Sequence, residues 1–150
     1  MTPNPLTITV YGQAVPAGSK RHFLTKTGKV NTVDASGASL AAWKADIRHA
    51  ALEAMTDEDF AGRTKPLDLQ LRFFIRRPKG HYGTGRNADK LRAGAPCYPV
   101  TKPDATKLLR AVEDALTGVI WMDDCQIVSQ TVLKRYAKAE PYVEIKVWWR

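Results

Sequence analysis

Five acidic residues, Asp104, Glu113, Asp114, Asp123 and Asp124, lie in or just beyond the most basic stretch of this 150-residue chain. From Arg72 to Arg110 ten Lys and Arg residues face only Asp89 and Asp104, so this stretch carries a charge equal to the whole net charge of +8. A basic surface attracts polyanions, above all nucleic acids. Carboxylates within it repel phosphate unless a divalent cation sits between the two. Mg²⁺ takes oxygen ligands, usually one or two carboxylates with water and substrate phosphates, and can activate a water for attack on phosphorus.

Helical spacing arranges part of this set. With Asp104 at zero and about 100° per residue, Ala115, Leu108, Val112, Ala105, Leu116 and Leu109 fill an apolar arc. Asp104, Lys107, Arg110 and Asp114 share an exposed arc, and Glu113 points to the far side. Asp123-Asp124 forms a tight turn ahead of a strand. The same residues also have plain structural readings: Asp104 as a helix cap, Lys107 and Arg110 as partners of nearby acids, Asp123-Asp124 as a turn.

The elements that must position these groups follow from periodicity. Leu6–Tyr11 alternates like a half-buried strand, and Leu67–Ile75 does so again with Leu67, Leu69, Leu71 and Phe73 on one face. Leu40, Trp43, Ile47, Ala50, Ala51 and Ala54 mark a helix over Ser39–Met55, with Ser36 or Ser39 at its start. A second helix spans Pro103–Thr117 and stops at Gly118. Strands over Gln126–Lys134 and Tyr142–Trp149 follow, and the short Ala137–Pro141 link predicts a hairpin between them. The order β-α-β-α-β-β, without repeat or linker, predicts one α/β (α+β) domain over residues 1–150 with a mixed sheet.

Between the second strand and second helix, residues 77–102 have no period and several Gly and Pro, and read as a long basic loop. Its cations, with His81, Tyr82 and Tyr98 to stack on bases or sugars, suit nucleic-acid contact. The expected DNA-binding residues are Lys20, Arg21, Arg76, Arg77, Lys79, Arg86, Lys90, Arg92, Lys102 and Lys107. Composition narrows the class further: 44% of residues are hydrophobic, too many for a disordered chain. No run reaches the roughly 20 apolar residues of a membrane span, and no secretory leader is recognisable, so a cytoplasmic protein is expected. Cys97 and Cys125 form no zinc pattern, and His22, His49 and His81 fit no metal motif.

The run Lys102-Pro-Asp-Ala-Thr-Lys-Leu-Leu-Arg-Ala-Val-Glu-Asp-Ala-Leu-Thr-Gly118, followed by Ile120-Trp-Met-Asp-Asp-Cys-Gln-Ile127, resembles the RusA family of Holliday-junction resolvases. That family carries Asp-x-Asp-Asn-Leu, a Lys, Asp-Ala-Leu and then Asp-Asp-x-Gln. The resemblance implies a metal-dependent, homodimeric endonuclease that makes paired nicks in four-way DNA junctions. Asp104 matches the first catalytic Asp, Asp124 the acid of the last block, and Asp114 that of Asp-Ala-Leu. Arg110 stands where the family usually has a functional Lys. Thr106 and Lys107 replace the second Asp and the Asn.

The resulting expectation is an Mg²⁺ (or Mn²⁺) site of Asp104 and Asp124, helped by Asp123 and Asp114, with Arg110 and Lys107 steadying phosphate charge. A reduced ligand set completed by water and a loss of activity are the other outcomes the Thr106 exchange allows. A non-catalytic branched-DNA-binding protein is the alternative, and a protein whose basic loop meets an acidic partner is the third. Phage or prophage DNA processing is the setting the resemblance suggests.

Overall fold

The computed structural model describes residues 4–18, 20–34 and 37–150. Alternation decides the strands. β1 (Leu6–Tyr11) buries Leu6, Ile8 and Val10 and turns the residues between them to solvent. After it, β2 (Lys20–Leu24) and β3 (Val30–Asp34) pair antiparallel with each other and with no strand of the main sheet. α1 (Gly37–Ala54) buries Leu40, Trp43, Ile47 and Ala51. Ser39 stands inside its first turn, while Ser36 lies outside the described residues. A short α2 (Asp57–Gly62) starts at a capping box, in which the Thr56 hydroxyl accepts from the Asp59 N–H and the Asp59 carboxylate accepts from the Thr56 N–H.

β4 (Leu67–Ile75) buries every second residue from Leu67 to Ile75. α3 (Ala105–Leu116) buries Leu108, Ala111, Val112, Ala115 and Leu116. β5 (Ile127–Tyr136) and β6 (Tyr142–Trp149) complete the chain. The sheet order is β1-β6-β4-β5, with β4 parallel to β5 and β6 antiparallel to β1 and β4. This is a single mixed α/β domain. The apolar sides of α1 and α3 share one core with one face of the sheet. Burying a side chain such as Leu71 or Phe73 there is worth about 1.5–3 kcal/mol.

One expectation needs correction. β5 and β6 do not form a hairpin, because β4 lies between them and Ala137–Pro141 crosses its end, the Ala137 N–H donating to the Ile75 carbonyl at 2.8 Å. The physical reason is polarity. The core-facing positions of β6 are Val143, Ile145 and Val147, whereas β5 presents Gln130 and Lys134 on that face, so β6 takes the centre and β5 the edge. The basic segment before α1 contains the β2–β3 ribbon.

Residues 77–102 form a long loop that folds back on itself. Short 3-10 turns form at Lys79–His81 and Gly85–Asn87, and Tyr82 bridges Leu91. Gly83 packs so closely on Asn87 that a Cβ would lie 2.6 Å from its carbonyl oxygen.

Candidate active site and nucleic-acid interface

Asp104 occupies the N-cap position of α3, yet its side chain makes no capping hydrogen bond. The carboxylate lies 3.9 Å from Lys107 Nζ and is about half exposed. With Lys102, Lys107, Gln13 and Pro16 it lines a cleft of about 340 Å³. The chain before β2 closes this cleft, the Ala17 N–H donating to the Lys107 carbonyl at 2.9 Å.

The arc expected to carry Asp104, Lys107, Arg110 and Asp114 is not one open face. Ala111 inside it is buried with Leu40 and Ala17. Asp114 turns toward α1 and pairs with Lys44 at 3.2 Å. Another side of α3 carries exposed Thr106 and Arg110 and half-buried Glu113, spaced i, i+4 and i+7. This stripe flanks edge strand β5. Gln130 donates to the Glu113 carboxylate, and Lys134 donates to the Thr101 and Pro103 carbonyls at 3.1 and 2.9 Å, which fixes the approach to α3.

Glu113, set aside in the sequence reading, is the acid whose surroundings push it upward. Burial raises it above the usual carboxylate value, the Gln130 hydrogen bond opposes this, Asp124 and Asp114 add to the rise, and Arg110 lowers it. The available signal was its angle, at the border between the apolar arc and Arg110. Asp124 thus acts beside the last turn of α3. Asp123 does the work of a turn residue: its carboxylate accepts from the Cys125 N–H at 3.0 Å, and that backbone bond holds it below the usual value.

These positions test the expected Mg²⁺ site. Asp104 precedes the first residue of α3, whereas Asp124 lies past its last, and twelve helical residues span about 18 Å. Asp114 is paired, Asp123 caps its own turn, and Thr106 brings no charge. Among the described residues no three His, Cys, Asp or Glu side chains gather into a group able to hold a metal ion. The carboxylates of one chain therefore do not fit a shared Mg²⁺ in this arrangement.

The loop cations divide into two sets. Arg77 lies over the Tyr136 ring at 4.1 Å and donates to the Pro96 carbonyl at 2.7 Å, Arg92 donates to the Tyr82 carbonyl, and Arg76 pairs with Glu140. Arg77 and Arg92 hold the loop in place, helped by Arg135 stacked on Tyr98, while Arg76 fastens the end of β4 to the Ala137–Pro141 link. Lys79, Arg86, Lys90 and Lys102 are exposed and have no side-chain partner among the described residues, so they are the cations available to phosphate. The side chains of Lys20 and Arg21 lie outside the described set. A larger cleft of about 670 Å³ lies at the Trp148–Arg150 end of the sheet, where Arg150 already neutralises Asp68 at 2.8 Å.

Residues 13–148 match the family described as Endodeoxyribonuclease RusA, and the chain belongs to that family. It is also similar to the uncharacterized protein YqaN of Bacillus subtilis (strain 168), 30% identical over 139 residues, which is 93% of this chain and 92% of the relative. Among the described residues no helix is long and apolar enough to cross a membrane.

Proposed function

We propose that this protein is an endonuclease that resolves four-way DNA junctions by paired nicks, as a homodimer that depends on Mg²⁺ or Mn²⁺. The observation that carries the reading is Asp104, a carboxylate in a cap position that leaves the cap unmade and faces a cationic cleft. Lys102 and Lys107 bring phosphate to that cleft. Arg110, one turn along the Thr106 stripe, balances charge that builds on phosphorus in the transition state. Lys79, Arg86 and Lys90 follow the flanking backbone.

Homodimerisation is supported by the separation of the matched acids. Asp104 and Asp124 stand at opposite ends of α3, so in this reading a site that uses both acids draws one from each of two copies. A two-fold assembly also suits a substrate cut at two related strands.

Cleavage of a synthetic four-way junction by the purified protein with Mg²⁺ or Mn²⁺ is the direct test. Asp104→Asn is expected to lower cleavage by about a hundredfold or more while junction binding persists. Cleavage undiminished in that variant overturns the assignment. The second reading, a branched-DNA-binding protein without catalysis, is favoured by Thr106 at the position of the family's second Asp. Tight junction binding with no nicking under either metal selects it.

A further inference from the structure

The β2–β3 ribbon stands apart from the site described above. Its two strands pair only with each other, and Leu24 lies directly opposite Val30 at the end next to the turn. Directly opposed residues share one face of a ribbon. Leu24 is 74% exposed and Val30 65%, so two aliphatic side chains sit side by side in water. The turn beyond them is firmly made. The Thr25 N–H donates to the Lys29 carbonyl at 2.8 Å, the Gly28 N–H to the Thr25 carbonyl at 2.9 Å, and the Thr25 hydroxyl bonds both the Lys29 carbonyl and the Lys29 N–H. Gly28, at φ +77°, supplies the left-handed residue this turn needs. Lys26 and Lys29 flank the apolar pair and are exposed. No Asp or Glu occurs between Tyr11 and Asp34.

We propose that this ribbon is a DNA-engaging arm whose Leu24–Val30 pair packs against bases at the branch point of a junction, with Lys26 and Lys29 on the adjoining phosphates. The inference rests on the branched-DNA reading above and adds a second contact surface to it. Apolar side chains inserted at a base step must overcome stacking, and that cost is smallest where pairing is already interrupted. With Lys20, Arg21, Lys26 and Lys29 against the single acid Asp34 at its base, the arm is basic, which matches DNA and gives no attraction to a second copy of an equally basic arm.

Two variants test it by measuring affinity for a synthetic four-way junction and for a linear duplex of the same sequence. The junction carries 2-aminopurine beside the branch, whose fluorescence rises when it unstacks. Leu24→Ser/Val30→Ser is expected to weaken junction binding about three- to tenfold, remove the fluorescence rise and leave duplex binding unchanged. Lys26→Gln/Lys29→Gln is expected to weaken both substrates and flatten the salt slope by about 2.

Wild-type fluorescence and affinity retained in the Ser variant overturn the arm while leaving the branched-DNA reading intact. A wild-type protein that binds junction no better than duplex overturns both. A Ser variant that changes the oligomer in sedimentation velocity, with junction affinity unaltered, assigns the tip to self-association and overturns the arm as well.

Discussion

A carboxylate at a helix N-cap ordinarily accepts a backbone N–H, and the Asp104 side chain does not. Its charge is left to the cleft with Lys102 and Lys107. Glu113 makes the opposite use of its surroundings, because burial at the α3–β5 seam raises it above its ordinary 4.5. A carboxyl raised in the folded state favours folding while it is protonated. That contribution is complete below pH 4.5 and is lost as pH climbs through the raised folded value. Glu113→Gln removes the ionised form that the seam disfavours. The variant is expected to melt a few degrees above wild type at pH 7 and at the same temperature below pH 4.5, as read by circular dichroism. A variant that melts lower at pH 7 contradicts the seam environment described.

At the scale of elements, the basic loop is held by its own cations. Arg77 connects Pro96 to the Tyr136 ring, joining the loop to the end of β5. Arg77→Ala loses a cation–π contact and a charged hydrogen bond, so the loop is expected to open about tenfold more often. Limited trypsin digestion followed by mass spectrometry reads this as faster cleavage after Arg86, Lys90 and Arg92, and an unchanged rate speaks against the anchor. The strands and long helices were legible in the sequence because burial on one face imposes a period: Leu67–Ile75 and Tyr142–Trp149 are found as expected. The pairing of β5 was not, since a link of five residues suits a hairpin as well as a crossover. Only the contrast between Gln130 and Lys134 on β5 and the valines and isoleucine of β6 separates the two. The basic cluster was legible as charge, but not which cations fasten the loop and which remain available to phosphate. α2 escaped notice because six residues with three acids carry no period.

At the scale of the whole molecule, the acids matched to the family sit at the two ends of one helix, and this has a consequence for mixtures. Asp104→Asn and Asp124→Asn proteins are each expected to be inactive, while a mixture regains about a quarter of wild-type nicking. In the proposed homodimer half the dimers are then mixed, and one of their two composite sites is intact. A mixture as dead as its parts overturns the shared site. The place of β6 governs assembly in another way. It is made after β1, β4 and β5, and among the described residues it is what joins β1 to β4. A chain halted at Tyr136 leaves β1 and the β4–β5 pair unconnected, and is expected to be digested by protease where the full chain resists. β1, the earliest strand, therefore waits unpaired in the sheet until the residues of β6 are made.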